Sequence, residues 1–157
     1  MAASLFEDVP FKAKVIGWGI ISIPLAALAF LGATFLRPAP IEQKLVWGCY
    51  TANDAPPIII ENSEIRIIDG TQRSLSYVAG PDKHGYILTV RPALILKVSG
   101  DGSYRFEQRR GTGYFWRLLT ESSDNLRKPE DFGGRINVAA EGGPAIYVRS
   151  KDGNSCG

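Results

Sequence analysis

Hydrophobic and polar positions divide the chain into two regimes. Residues 15–36, "VIGWGIISIPLAALAFLGATFL", form 22 consecutive uncharged positions in which Ser22 and Thr34 are the polar side chains. At 1.5 Å of rise per residue such a helix is about 33 Å long, enough for the hydrocarbon core of a bilayer. An amphipathic core helix would carry a polar stripe, and this run has none. The pattern therefore predicts a single transmembrane helix over 15–36, with Pro24 expected to bend it.

After residue 44 the period changes from helical to two. In "EIRIID", Ile65 and Ile67 alternate with Glu64 and Arg66, the pattern of a half-buried strand, and Asp69-Gly70 is a hairpin signal. "RSLSYVAG" keeps Leu75 and Tyr77 on one side. "YILTVRPALILKVS" is broken at Pro92, "SGDGS" separates "ALILKV" from "YRFEQRR", and "RGTG" leads into "YFWRLLT". "ESSDNLRKPEDFGGR" reads as a loop with a helical turn. "INVAA" and "AIYVRS" make a last hairpin around "EGGP". Turn signals recur at intervals of about ten residues, which predicts a mainly β domain of about eight strands, an antiparallel barrel or a sandwich. The chain then divides into a short tail (1–14), the helix (15–36), a proline-containing spacer "RPAPIEQK" (37–44) and an extramembrane β domain (45–157). "WGCY" ahead of a run of up-and-down strands resembles the layout of small lipocalin-type barrels. The resemblance is one of layout, and no motif carries functional residues across.

An export signal is the competing explanation for the apolar run. Lys12 and Lys14 could form its basic region and Ala27-Leu28-Ala29 its cleavage site, but the apolar sequence continues through "FLGATFL" beyond that point. A permanent anchor is therefore expected. Trp18 near one end, and Phe35, Trp47 and Tyr50 at or past the other, suit the two headgroup zones. Positive charges tie across the helix, Lys12 and Lys14 against Arg37 and Lys44. A short tail before an apolar segment reads as a signal anchor, with a cytoplasmic N-terminus and a periplasmic or otherwise extracytoplasmic β domain. Cys49 and Cys156 are either bonded, which would fit an oxidising compartment, or two separate half-buried thiols.

Charge and candidate chemistry change this picture little. Of the 18 Lys+Arg and 16 Asp+Glu in the 157 residues, 16 and 14 follow the apolar run, so the β domain is nearly balanced, and no nucleic-acid partner is expected. One histidine and two isolated cysteines leave no usual zinc pattern. His84, in the turn "PDKHGY" beside Asp82, has no identifiable nucleophile or orienting partner. "GDGS" lacks the acidic spacing of a calcium loop and the Lys-Ser/Thr of a P-loop, and "GTG" lacks the third glycine of a dinucleotide fingerprint. No catalytic residue, metal or cofactor is expected.

Three features point to partners. Ser22, Ala26, Ala29 and Ala33 fall on one helical face, and small side chains let another transmembrane helix approach closely. In "YRFEQRRGTGYFWRLL", Arg105, Arg109, Arg110 and Arg117 interleave with aromatics including Trp116, the residue types of binding hot spots. Read as adjacent strands, they would form an arginine-aromatic face for a partner or for anionic headgroups. Alternation alone would instead send Tyr104, Phe106, Trp116 and Leu118 to the core. "APPIII" could be an apolar edge lying on a partner or the bilayer. Together these features suggest an accessory or scaffolding subunit of a membrane complex, bound to the bilayer and to other transmembrane subunits. The alternative is a membrane-tethered, lipocalin-like binder of a small apolar ligand.

Overall fold

The computed structural model describes residues 10–35, 38–71, 73–111, 113–151 and 156, apart from the side chains of residues 13–15, 17 and 33–35. The chain divides into two compact units, Met1–Pro38 and Ala39–Gly157.

The first unit contains one helix, α1 (Phe11–Phe35). It begins before the uncharged run and takes in the exposed Lys12, so the expected boundary at residue 15 moves upstream. Pro24 lies inside α1 without ending it. Ser22 Oγ donates to the Trp18 carbonyl at 2.7 Å, a back-bond that occupies the polar side chain within the helix. Among the described residues no helix is long and apolar enough to cross a membrane. Of the run 15–36, Leu36 and the side chains of Val15, Gly17, Ala33, Thr34 and Phe35 lie outside them.

The second unit is a β-barrel, which resolves the choice between barrel and sandwich. A short 3-10 turn (Gln43–Val46) spans residue 45, the expected start of the β domain. Ten strands follow: β1 (Gly48–Ala52), β2 (Ala55–Glu61), β3 (Glu64–Ile67), β4 (Arg73–Asp82), β5 (Gly85–Arg91), β6 (Leu94–Val98), β7 (Tyr104–Gln108), β8 (Tyr114–Leu119), β9 (Arg135–Ala140) and β10 (Gly143–Arg149). Eight of them close a ring of antiparallel pairs in the order β1-β2-β3-β4-β5-β8-β9-β10, with β10 returning to β1. Closure leaves β2 paired on both sides, so the "APPIII" segment is not a free edge.

Alternation dictates what fills the ring. Side chains at every second position point inward, and eight strands leave an interior just wide enough for side chains to occupy. Cross-strand register stacks them in rows: Ile60 opposite Ile65, Ile65 opposite Leu75, Tyr77 opposite Val90, and Ala79, Leu88 and Trp116 in one line. Trp116, Tyr50, Tyr147, Ile58 and Leu118 are all 0 % exposed.

The β6–β7 hairpin stands outside the ring and plugs one mouth. β6 touches β9 in parallel through Leu96 and Ala140, with Glu141 N donating to the Leu96 carbonyl at 2.7 Å. On the other side Tyr104 N donates to Asp54 O at 2.6 Å, and Arg73 Nη1 donates to Phe106 O at 2.9 Å. Arg73 is itself held by an ion pair with Asp69. The hairpin thus bridges the mouth and lowers Phe106 into the barrel, 6.0 Å from the Trp116 ring and 6.4 Å from the Tyr147 ring.

The opposite mouth is closed by Val46, Leu126 and Arg149. Leu126 N donates to Leu118 O at 3.0 Å and Leu126 O accepts from Tyr86 N at 3.1 Å. Tyr86 Oη, at the start of β5, donates to the Ala39 carbonyl at 2.6 Å and fixes where the chain joins the barrel. Cys49 and Cys156 form a disulfide, with their Cα atoms 6.0 Å apart.

Candidate partner surface

Arg105 lies on β7 and Arg109 and Arg110 follow it, whereas Arg117 lies on β8. These strands are not neighbours: β7 pairs with β6, and β8 lies between β5 and β9. The expected arginine-aromatic face on two adjacent strands therefore does not form. Nor does Trp116 stand on the surface with the arginines, because its side chain is wholly inside the barrel. Alternation explains both placements. On β8, Trp116 and Leu118 point in, and Phe115 and Arg117 point out.

Strand packing reunites the arginines in another way. Arg109, Arg110, Lys97, Glu107, Tyr114 and Glu141 line an open depression of about 480 Å³ beside the plugged mouth. Arg117, Phe115 and Asn137 line a second one of about 440 Å³. Tyr114, Ala139 and Ala140 belong to both, so the two form one continuous trough across β8 and β9. Lys97 Nζ and Glu107 Oε2 pair at 2.6 Å. That hydrogen bond raises the Lys97 ammonium above its ordinary value and lowers the Glu107 carboxyl below its own. Arg105 is exposed on the same hairpin. Among the described residues Arg105, Arg109, Arg110 and Arg117 have no ion-pair partner.

On α1, Ser22, Ala26 and Ala29 are exposed, and the side chain of Ala33 lies outside the described residues. His84 and Asp82 are exposed at the β4–β5 turn. Among the described residues no cluster of three or more His, Cys, Asp or Glu could hold a metal ion.

Arg149 is the residue that sequence reasoning passed over. Two-residue alternation in "AIYVRS" sets it on the side of Tyr147, and the structure turns it into the closed mouth. Its Nε donates to Tyr50 Oη at 3.2 Å and its Nη2 donates to the Leu45 carbonyl. The guanidinium lies 5.1 Å from the Phe132 ring centroid and 5.6 Å from that of Tyr50. Burial pushes the Tyr50 phenol up to about 12 against the opposing pull of Arg149. Arg149 thus bolts the 3-10 turn to the barrel with a planar fork, which an ammonium cannot reproduce. Arg149→Ala is expected to destabilise the domain by about 2–3 kcal/mol and Arg149→Lys by roughly half of that. Urea denaturation of both variants checks the order; equal stability of wild type and Arg149→Ala would remove the bolt.

Comparison of the chain with protein-family models, curated proteins and solved structures finds no match.

Proposed function

We propose that the protein is a membrane-anchored accessory or scaffolding subunit of a larger membrane protein complex. The observation that carries this reading is the exposure of the apolar side chains of α1. Ile20, Ile23, Leu25, Leu28 and Phe30 are each more than 60 % exposed and lie on all sides of the helix. A helix apolar all round needs lipid or protein around it, because contiguous apolar surface of that size is not stable in water. The uncharged run of 22 residues supplies the length for a span. The disulfide suits an oxidising compartment, hence a cytoplasmic N-terminus and an extracytoplasmic barrel. The helix packs on other transmembrane subunits through Ser22, Ala26, Ala29 and Ala33, and the barrel's outer surface meets the partner outside the bilayer.

Tethered binding of an apolar ligand is the weaker reading, because the barrel interior is occupied by Trp116, Tyr50, Tyr77 and Tyr147 and plugged by Phe106. Extraction in a mild detergent, followed by size separation and mass spectrometry, tests the subunit reading. Wild type is expected in a large assembly of defined composition. Ala26→Leu with Ala29→Leu is expected to release most of it, because bulky side chains prevent close helix approach. Elution of the wild type alone would remove the proposal.

A further inference from the structure

Resting on that reading, we infer that the trough beside the plugged mouth docks an acidic, extended segment of the partner protein. Two observations converge on it. The first is charge without compensation. Glu107 is committed to Lys97, which leaves Glu141 as the other carboxylate of a depression that also carries Arg109 and Arg110, while Arg117 lines the adjoining one; none of the three arginines has an ion-pair partner among the described residues. Guanidinium groups bind carboxylates through paired, charge-assisted hydrogen bonds, so their complement is a set of carboxylates.

The second is shape. The arginines are spread along two adjoining depressions with Tyr114 between them, which suits an elongated chain bearing several carboxylates better than one compact anion. The side-chain amides of Gln108 and Asn137 line the same trough and can meet a peptide backbone.

Full-length protein in detergent micelles, titrated against a fluorescein-labelled oligo-aspartate peptide at low and high salt, tests the inference by anisotropy. Wild type is expected to bind, with affinity falling as salt rises. Arg109→Glu with Arg110→Glu should weaken binding at least about tenfold, and Lys83→Glu, at the β4–β5 turn outside the trough, should change it by less than about twofold. Arg109→Ala with Arg110→Ala should give an intermediate loss, which guards against misfolding of the reversal. No binding by wild type, or equal losses in the trough and turn variants, would overturn the inference. Competition by inorganic phosphate or by phosphatidylglycerol vesicles as effective as that by unlabelled peptide would overturn it too, in favour of a small anion or a lipid surface. An assembly that co-purifies equally well with the double reversal removes the docking site but leaves the subunit reading. A chain that elutes alone yet binds the peptide through Arg109 and Arg110 does the opposite.

Discussion

Replacing Cys49 by Ser, or reducing the Cys49–Cys156 bond, is expected to lower the stability of the barrel by about 4–5 kcal/mol. The bond closes a loop with a sequence separation of 107 residues. Loop-closure entropy removed from the unfolded chain is worth about that much for a ring of this size. Domains of this length have about 5–15 kcal/mol in total, so the loss is a large share of it. In a calorimeter it corresponds to a fall in melting temperature of roughly 15 °C. The double variant Cys49→Ser with Cys156→Ser should match the reduced wild type, since neither thiol has another described role beyond a weak contact from Cys156 Sγ to Ile58 O at 3.7 Å. A shift of less than about 1 kcal/mol would mean that the unfolded ensemble is already compact and that the bond constrains little.

Trp116→Ala is expected to cost about 4 kcal/mol, near the middle of the range for a fully buried tryptophan. The side chain is 0 % exposed, stands opposite Leu88 and supports the plug residue Phe106. Its removal therefore empties the centre of the barrel and takes away the floor on which the hairpin rests. Trp116→Phe should cost only about 1–2 kcal/mol. The indole Nε1 is buried without a hydrogen-bond partner among the described groups, so replacing it sacrifices no bond. Apolar cavities of this kind stay dry and accept small aromatic guests, so indole should raise the melting temperature of the alanine variant and not that of wild type. A cost for Trp116→Ala below about 1 kcal/mol would show a loosely filled interior and would revive the ligand-binding alternative.

Local features of the fold were legible in the sequence, and its closure was not. Alternation at Glu64–Ile67 and the turns at Asp69-Gly70 and Lys83-His84 follow from short-range chemistry, and the structure forms strands and turns there. Pro92 likewise separates β5 from β6. The pairing of β5 with β8 across an excluded hairpin, and the parallel touch of β6 on β9, depend on which surfaces meet in space, and no local period encodes that. This is why Arg105 and Arg117 looked like neighbours. The outward-facing arginines could be sorted from the inward-facing Trp116 by alternation, yet the trough between them could not, because β9 contributes its Ala139 and Ala140 floor from more than twenty residues downstream. Arg149 had a legible side but an illegible purpose. Alternation turned it inward, and only the 3-10 turn folded back over the mouth gave it a carbonyl to hold.

The bond between Cys49 and Cys156 also changes what a cut in the chain can do. Cleavage in the segment between β8 and β9, or in any loop of the barrel, would open the hoop without setting a fragment free, since β10 stays covalently joined to β1. A nicked barrel would remain attached to α1 and keep both sides of its trough on one molecule. After a single cut of this kind, freeing the C-terminal piece would also need reduction of the bond, and a compartment that supplies the cut while withholding the reductant would leave the nicked barrel one molecule.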